Sequence, residues 1–281
     1  MTEFYSGPEH QPFQLGQGTV GALLLHGFPG TPAEMRPLGE QLATAGWAVY
    51  GPLLPGFGSQ IATLGQKTRH DWLAAAHDQW QKIQAAHETA VLIGFSMGGA
   101  LALNLAAQVQ PDFLVLLAPF WRFAGWQGKL LPIAKYFKKT LHPFADADFG
   151  DTAVRKQLSE VMPGADLDDP AVQAQIRQQV QLPTKTIDEV RQLGQSGGKL
   201  ASAVHCPTLV LQGQNDAVVP PTLTRQLIAR LGGPVAYREV PGDHTFPKMQ
   251  PPNSYNIVPD ILNFVTNSNK VFLRPHMEFG S

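Results

Sequence analysis

The sequence predicts an α/β protein with a mostly parallel central sheet flanked by helices. Along most of the 281-residue chain, short apolar segments alternate with segments whose apolar residues recur at helical spacing. Strands that alternate with helices form βαβ units, in which a parallel sheet is covered on both faces. A second observation agrees, because the pentapeptide Gly94-Phe95-Ser96-Met97-Gly98 lies between an apolar strand and a helix that opens with small residues.

The elements can be placed in chain order from these patterns. Two strands joined by a glycine turn open the fold, and a glycine-containing loop then leads to the first amphipathic helix. The predicted strands are 13–15, 19–25, 47–50, 90–93, 113–117, 208–212 and 235–240, and the predicted helices lie at about 37–45, 72–83, 97–109, 223–231 and 256–266.

The alternation of strands and helices is interrupted between residues 118 and 204. Residues 1–118 and 204–270 are therefore assigned to the α/β core, and residues 119–203 to a helical insertion. The insertion opens with an aromatic cluster just past a strand end, where ligands bind in open α/β sheets, so we expect it to form a cap. The alternative is a packed pair of surface helices without a gating role. Residues 276–281 resemble translated cloning sites and are left out of the fold.

Composition narrows the class of protein. The 21 basic and 22 acidic residues leave a net charge of -1, so no positive field for nucleic acid is expected. No stretch approaches the ~20 apolar residues of a membrane span, and residues 1–12 lack a signal-peptide pattern, so we expect a cytoplasmic protein. The single cysteine, Cys206, excludes an intrachain disulfide.

The pentapeptide around Ser96 has the form G-x-S-x-G, which in a strand-turn-helix setting is a nucleophile elbow. A serine hydroxyl needs a base to attack a carbonyl. Among the nine histidines, His244 follows the last predicted core strand, so it should lie at the edge of the sheet where Ser96 emerges. His244 is therefore the candidate base.

A histidine base needs an acid that holds its tautomer. Asp216 follows the strand at 208–212 and should lie at the same edge, whereas Asp243 adjoins His244 in the chain. Adjacent side chains on an extended loop tend to point apart, so Asp216 is preferred over Asp243. The chain order Ser96, Asp216, His244 is one of the known orders of such triads.

Two backbone N–H groups are candidates to stabilise an oxyanion. One belongs to Met97, the residue after the nucleophile, and the other to Phe28 in the loop His26-Gly27-Phe28-Pro29-Gly30. The glycines of that loop allow the conformations that turn an N–H group toward a ligand.

These residues and motifs resemble those of the α/β-hydrolase carboxylesterases and monoacylglycerol lipases of bacteria. The resemblance covers residues from about 20 to 264 and is weakest in the insertion. It implies an eight-stranded sheet, a small helical cap and no cofactor or metal. It also implies hydrolysis of short to medium acyl esters or monoacylglycerols, in which Ser96 forms an acyl-enzyme, with a small-molecule ester as the partner.

An apolar pocket for the acyl group is predicted from aromatic residues near the expected site, although each could equally be core packing. The candidate substrate-binding residues are Phe28, Phe120, Trp121, Phe123 and Trp126. Residues 130–139 mix apolar and basic side chains, as expected of a cap helix that touches lipid transiently or of one packed on the body.

Two other function classes remain open at this level. The same triad could hydrolyse thioesters or transfer acyl groups, since only the leaving group or acceptor would differ. A noncatalytic binding module on a hydrolase scaffold is the other class, although all three triad members are present. Acyl length and oligomeric state are not specified by the sequence.

Overall fold

The computed structural model describes Tyr5 and residues 7–124, 140–152, 154–155, 158, 165–179, 181–250, 253 and 255–271. Trp126, the amphipathic segment 130–139 and residues 276–281, on which predictions were made, lie outside these residues. The strands are β1 (Phe13–Leu15), β2 (Val20–Leu25), β3 (Ala48–Gly51), β4 (Thr89–Phe95), β5 (Phe113–Leu117), β6 (Thr140–Leu141), β7 (Leu182–Pro183), β8 (Thr208–Gly213) and β9 (Val235–Val240).

The described helices alternate with these strands through most of the chain. They are α1 (Arg36–Thr44), α2 (Arg69–Ala86), α3 (Met97–Val109), α4 (Pro170–Gln179), α5 (Thr184–Leu200), α6 (Pro221–Ile228) and α7 (Val258–Val271). Short 3₁₀ helices occur in several connections, among them Pro32–Glu34 and Gly58–Gln66.

The central sheet has the strand order β1-β3-β2-β4-β5-β8-β9. Every neighbouring pair is parallel except β1 and β3, which confirms the predicted mostly parallel sheet. Within the part of the chain that the structure describes, this sheet has seven strands, one fewer than the resemblance implied. Strands β6 and β7 form a separate antiparallel pair.

The first two strands do not pair with each other, although a glycine turn joins them. Strand β1 lies antiparallel to β3, with Phe13 opposite Gly51. Strand β2 is hydrogen-bonded to β3 on one side and to β4 on the other. Since both of its edges are occupied, β1 is displaced to the outer edge of β3.

Side chains on the two faces of the sheet enter two separate hydrophobic cores. In β2, Leu23 and Leu25 face the core formed with α2 and α3, whereas Ala22 and Leu24 face the core formed with α1 and α7. This alternation follows from the period of two along a strand. Because both faces are covered, the central strands are mostly apolar.

Helix α5 is the last α-helix of the predicted insertion, and it packs along α3. A Cβ atom on Gly197 would lie 3.2 Å from the carbonyl oxygen of Ala100, so the two helices approach closely. The buried amide of Asn104 donates to the carbonyl of Leu193 at 3.1 Å and accepts from Ser196 Oγ at 2.6 Å. Helix α5 thus lies in the layer that covers the sheet, and the assignment of residues 119–203 to a cap insertion stays a prediction.

The earlier part of the insertion contains a hydrophobic cluster of its own. Its buried members are Phe144, Phe149, Leu158, Leu167 and Ile176. No helix within the described ranges is long and apolar enough to cross a membrane.

His26 connects two loops from a fully buried position. Its Nδ1 lies 2.9 Å from the Gly27 carbonyl oxygen, and the Leu54 N–H donates to its Nε2 at 3.2 Å. Since an amide N–H can only donate, Nε2 is unprotonated and Nδ1 carries the proton. Burial lowers the pKa of His26 to about 4, against the weaker opposing effect of the hydrogen bond to Gly27. A neutral imidazole therefore joins the loops after β2 and β3.

We expect His26 to make the free energy of unfolding depend on pH. The unfolded side chain binds a proton near pH 6.5 and the folded one only near pH 4, so stability is lost as the pH falls through this window. The loss at the lower limit should be about 3 kcal/mol. Urea denaturation across this range should show a flatter profile for His26→Gln than for the wild type. A His70→Gln variant, which changes an exposed histidine, should keep the wild-type profile.

Candidate active site

Ser96 lies at the sharp turn between β4 and α3. Its backbone angles are φ 52° and ψ -114°, which are unusual for a residue other than glycine. The Ser96 N–H donates to the Leu117 carbonyl at 3.0 Å, and the Phe120 N–H donates to the Ser96 carbonyl at 3.0 Å. The last residue of β5 and the loop after it thus hold the turn in place from both sides of the serine.

The glycines of the pentapeptide are required by close backbone contacts. A Cβ atom on Gly98 would lie 2.1 Å from the carbonyl oxygen of Leu25, and one on Gly94 would lie 2.3 Å from that of Gly98. No larger side chain fits either position without moving the backbone. The glycines therefore allow α3 to begin directly beside the end of β2.

The structure brings the three predicted side chains into one hydrogen-bonded chain. His244 Nε2 lies 3.0 Å from Ser96 Oγ, and His244 Nδ1 lies 2.8 Å from Asp216 Oδ2. Because the carboxylate accepts, Nδ1 carries the proton, and Nε2 of the neutral ring can accept from the serine hydroxyl. The His244 ring also packs against Phe95, with 5.1 Å between ring centroids.

The Asp216 side chain is fully buried and well supplied with donors. Its Oδ1 accepts the N–H groups of Val218 and Val219 at 2.9 and 2.8 Å, and its Oδ2 accepts from Gln212 Nε2 at 2.8 Å as well as from His244. These bonds stabilise the ionised carboxylate and leave one oxygen directed at the imidazole.

Gln212 is a site residue that the sequence reasoning missed. It is fully buried at the end of β8, and its Oε1 accepts from Thr224 Oγ1 at 2.5 Å, so its amide is held with Nε2 toward Asp216. A polar residue that ends an otherwise apolar strand was the available signal.

The rival acid Asp243 has a different set of partners. Its Oδ1 accepts from the Thr245 N–H at 2.9 Å, from Thr245 Oγ1 at 2.8 Å and from Asn253 Nδ2 at 2.8 Å. The Asp243 N–H in turn donates to Asn253 Oδ1 at 3.0 Å. Asp243 therefore stabilises the loop that carries His244, through hydrogen bonds to Thr245 and to the buried Asn253. No sequence pattern indicated Asn253.

Two backbone N–H groups were predicted to face the serine. Met97 is the first residue of α3, so its N–H has no acceptor within the helix. Phe28 follows Gly27, whose carbonyl accepts from His26. The Met97 side chain itself is buried in the core shared with α2 and α3, and the Phe28 ring packs against Phe57 with 6.0 Å between centroids.

The aromatic residues after β5 differ in their surroundings. Phe120 is buried, and its ring lies 5.0 Å from that of Phe123, which is 37% exposed. The Trp121 indole N–H donates to the Leu223 carbonyl at 2.9 Å, and the ring packs against Gly198. Trp121 thus joins helices α5 and α6, and substrate contact by any of these rings stays a prediction.

Among the described residues, no group of three or more His, Cys, Asp or Glu side chains could hold a metal ion. The chemistry available at the site is that of a hydroxyl, an imidazole, a carboxylate and backbone N–H groups. Such a set is suited to acyl transfer.

Comparison with known proteins agrees with this geometry. Residues 20–241 match the protein family described as serine aminopeptidase, S33. The thermostable monoacylglycerol lipase of Bacillus sp. (strain H-257) is 33% identical over 225 residues, which cover 79% of this chain and 80% of that protein. The carboxylesterase of Bacillus subtilis (strain 168) is 31% identical over 100 residues, or 35% of this chain and 41% of that protein.

Solved structures share the fold. A structure of the metagenome-derived lipolytic enzymes LipS and LipT superposes with a TM-score of 0.74 at 23% identity, over 92% of this chain and 98% of that chain. The monoacylglycerol lipase of Paleococcus ferrophilus superposes with a TM-score of 0.67 at 18% identity, over the same two shares. At these identities the superpositions establish the α/β-hydrolase fold alone. The family match over residues 20–241 and the 33% identical relative show that this chain belongs to the S33 serine aminopeptidase family of α/β-hydrolases.

Proposed function

We propose that this serine hydrolase cleaves carboxylic esters of short to medium acyl length, including monoacylglycerols, through an acyl-enzyme on Ser96. The observation that carries the proposal is the hydrogen-bonded chain from Ser96 through His244 to Asp216. The relatives named monoacylglycerol lipase and carboxylesterase support an ester as the substrate.

The proposed reaction has two halves. His244 Nε2 takes the hydroxyl proton as Ser96 Oγ attacks the ester carbonyl, and Asp216 stabilises the imidazolium that results. The oxyanion accepts hydrogen bonds from the N–H groups of Phe28 and Met97. His244 then protonates the leaving alcohol, and a water molecule activated by the same histidine releases the acid.

An apolar acyl site beside the serine is part of the proposal. The Phe120 N–H donates to the Ser96 carbonyl, so Phe120 is held next to the serine by its backbone. Phe28 directly follows Gly27, whose carbonyl is held by His26. Aromatic walls of this kind favour an alkyl chain over a polar acyl group.

A cap formed by residues 119–203, within which helix α5 packs on α3, stays a proposal. Its hydrophobic cluster around Phe149 and Ile176, which is distinct from the two cores of the sheet, supports a small unit of its own. Transient lipid contact through this cap and a cytoplasmic location are also proposed, on the sequence patterns described above.

Replacement of Ser96 by alanine should remove ester hydrolysis while the fold persists. Loss of the nucleophile should lower kcat by about 10⁴-fold or more. The measurement is hydrolysis of 4-nitrophenyl butyrate, together with circular dichroism. A Ser202→Ala variant at an exposed position serves as the control and should retain wild-type activity. Substantial activity in Ser96→Ala would contradict the proposed mechanism.

Replacement of Asp216 by asparagine should reduce kcat by about 10³-fold to 10⁴-fold, because the amide favours the wrong imidazole tautomer. Asp243→Asn retains the Oδ1 acceptor of the loop brace, so its kcat should fall by less than about tenfold. Equal losses in the two variants would show that the acid has been misassigned.

A substrate panel tests the ester assignment against the other chemistries of the triad. It comprises monoacylglycerols and 4-nitrophenyl esters of graded acyl length, an acyl-coenzyme A thioester and an aminoacyl anilide. We expect kcat/KM for the best ester to exceed that for the thioester and the anilide by at least about tenfold. A thioester or an anilide as the preferred substrate would overturn the assignment.

A further inference from the structure

Glu34 lies behind the loop that supplies the proposed Phe28 donor. Its Oε2 accepts the N–H of Gly27 at 3.0 Å. A Cβ atom on Gly30 would lie 2.1 Å from the same carboxyl group, so the carboxylate occupies the space left by the missing side chain. One side chain thus touches both glycines of the loop. We propose that Glu34 is a positioning residue that directs the Phe28 N–H toward the substrate carbonyl oxygen.

The geometric reason lies in the peptide unit between Gly27 and Phe28. This unit is trans, so its C=O and N–H point in opposite directions. His26 Nδ1 holds the Gly27 carbonyl at 2.9 Å, and the Phe28 N–H is therefore directed to the opposite side.

Glu34 holds the other peptide unit of the same glycine. With the Gly27 N–H bonded to Glu34 and the Gly27 C=O bonded to His26, both planes that flank this Cα atom are held. Glycine rotates about its φ and ψ angles more readily than any other residue. Loss of either bond would therefore let the Phe28 N–H turn, and a misdirected donor no longer stabilises the oxyanion.

The position of Glu34 is itself supported. It ends the 3₁₀ helix Pro32–Glu34, whose first residues are capped by Thr31, and the Glu34 N–H donates to the Thr31 carbonyl at 3.1 Å. The Thr31 side chain is buried and lies 2.8 Å from His10 Nδ1. Burial, together with the nearby Glu34 carboxylate, raises the pKa of Tyr5 to about 12.

The Glu34 role rests on the proposed function, since an oxyanion donor matters only if Ser96 attacks a carbonyl. The test compares Glu34→Ala, Glu34→Gln and a matched control, Glu40→Ala, which removes an exposed acid from α1. Ester hydrolysis supplies kcat and KM. The rate at which a fluorophosphonate labels Ser96 supplies a second readout that depends on the oxyanion donors but not on the choice of ester.

Glu34→Ala should lower kcat and the labelling rate by about 10-fold to 100-fold, whereas KM should change by less than about threefold. Glu34→Gln keeps an oxygen acceptor for Gly27 and should stay within about threefold of the wild type in both readouts, as should Glu40→Ala. Rates are expressed per folded molecule, measured by thermal unfolding, so that loss of stability is not counted as loss of activity.

Normal rates per folded molecule in Glu34→Ala would overturn the proposal and leave Glu34 a stabilising residue only. A loss in Glu34→Gln as large as that in Glu34→Ala would also overturn it, because charge and not the hydrogen bond would then be responsible. Failure of the ester assignment has a different signature, in which the wild type labels rapidly at Ser96 but hydrolyses no ester in the panel. The labelling rates of the Glu34 variants still decide the positioning role in that case.

Discussion

The close contact between the elbow and the end of β2 is the constraint on which the candidate site depends. A Cβ atom on Gly98 would lie 2.1 Å from the Leu25 carbonyl, so α3 can begin beside β2 only because this residue is glycine. That contact brings the first N–H of α3 next to the loop that starts at His26. Ser96 itself is held in its unusual conformation by bonds to the end of β5 and to the loop after it. The elbow, the loop at residues 26–30 and the segment that begins at Phe120 are therefore parts of one backbone arrangement.

Around this arrangement, each polar side chain is oriented by a second buried group. Gln212 holds Asp216, and Asn253 with Asp243 braces the loop of His244. The neutral, buried His26 joins the loop at residues 26–30 to the loop after β3. Buried polar groups are costly unless their hydrogen bonds are made, so these networks favour a single geometry. A site of this kind is organised before substrate arrives, which is what electrostatic stabilisation of an oxyanion requires.

Several parts of the fold could be predicted because their signals are local. Alternation of apolar strands and amphipathic helices gave the parallel sheet, and the position of each loop after a strand grouped Ser96, Asp216 and His244 at one edge. The pairing of the strands was harder to predict, because β1 is hydrogen-bonded to β3 and not to β2, its neighbour in the chain. Helix α5 lies within residues 119–203, which the sequence assigns to the insertion because the alternation of strands and helices pauses there. Its contact with α3 is visible only in the folded chain.

By itself, the sequence determined the fold class, the elbow and the residues that strand ends bring to one edge, because periodicity and short motifs are properties of neighbouring residues. Only the tertiary structure decided which acid faces His244, which side chains support it, and that Glu34 reaches back to Gly27. These outcomes depend on distances between residues far apart in the chain or on the direction of a single side chain. Neither the distances nor the side-chain directions can be read from the spacing of residues along the chain, because both are set by how the helices and loops pack on the sheet.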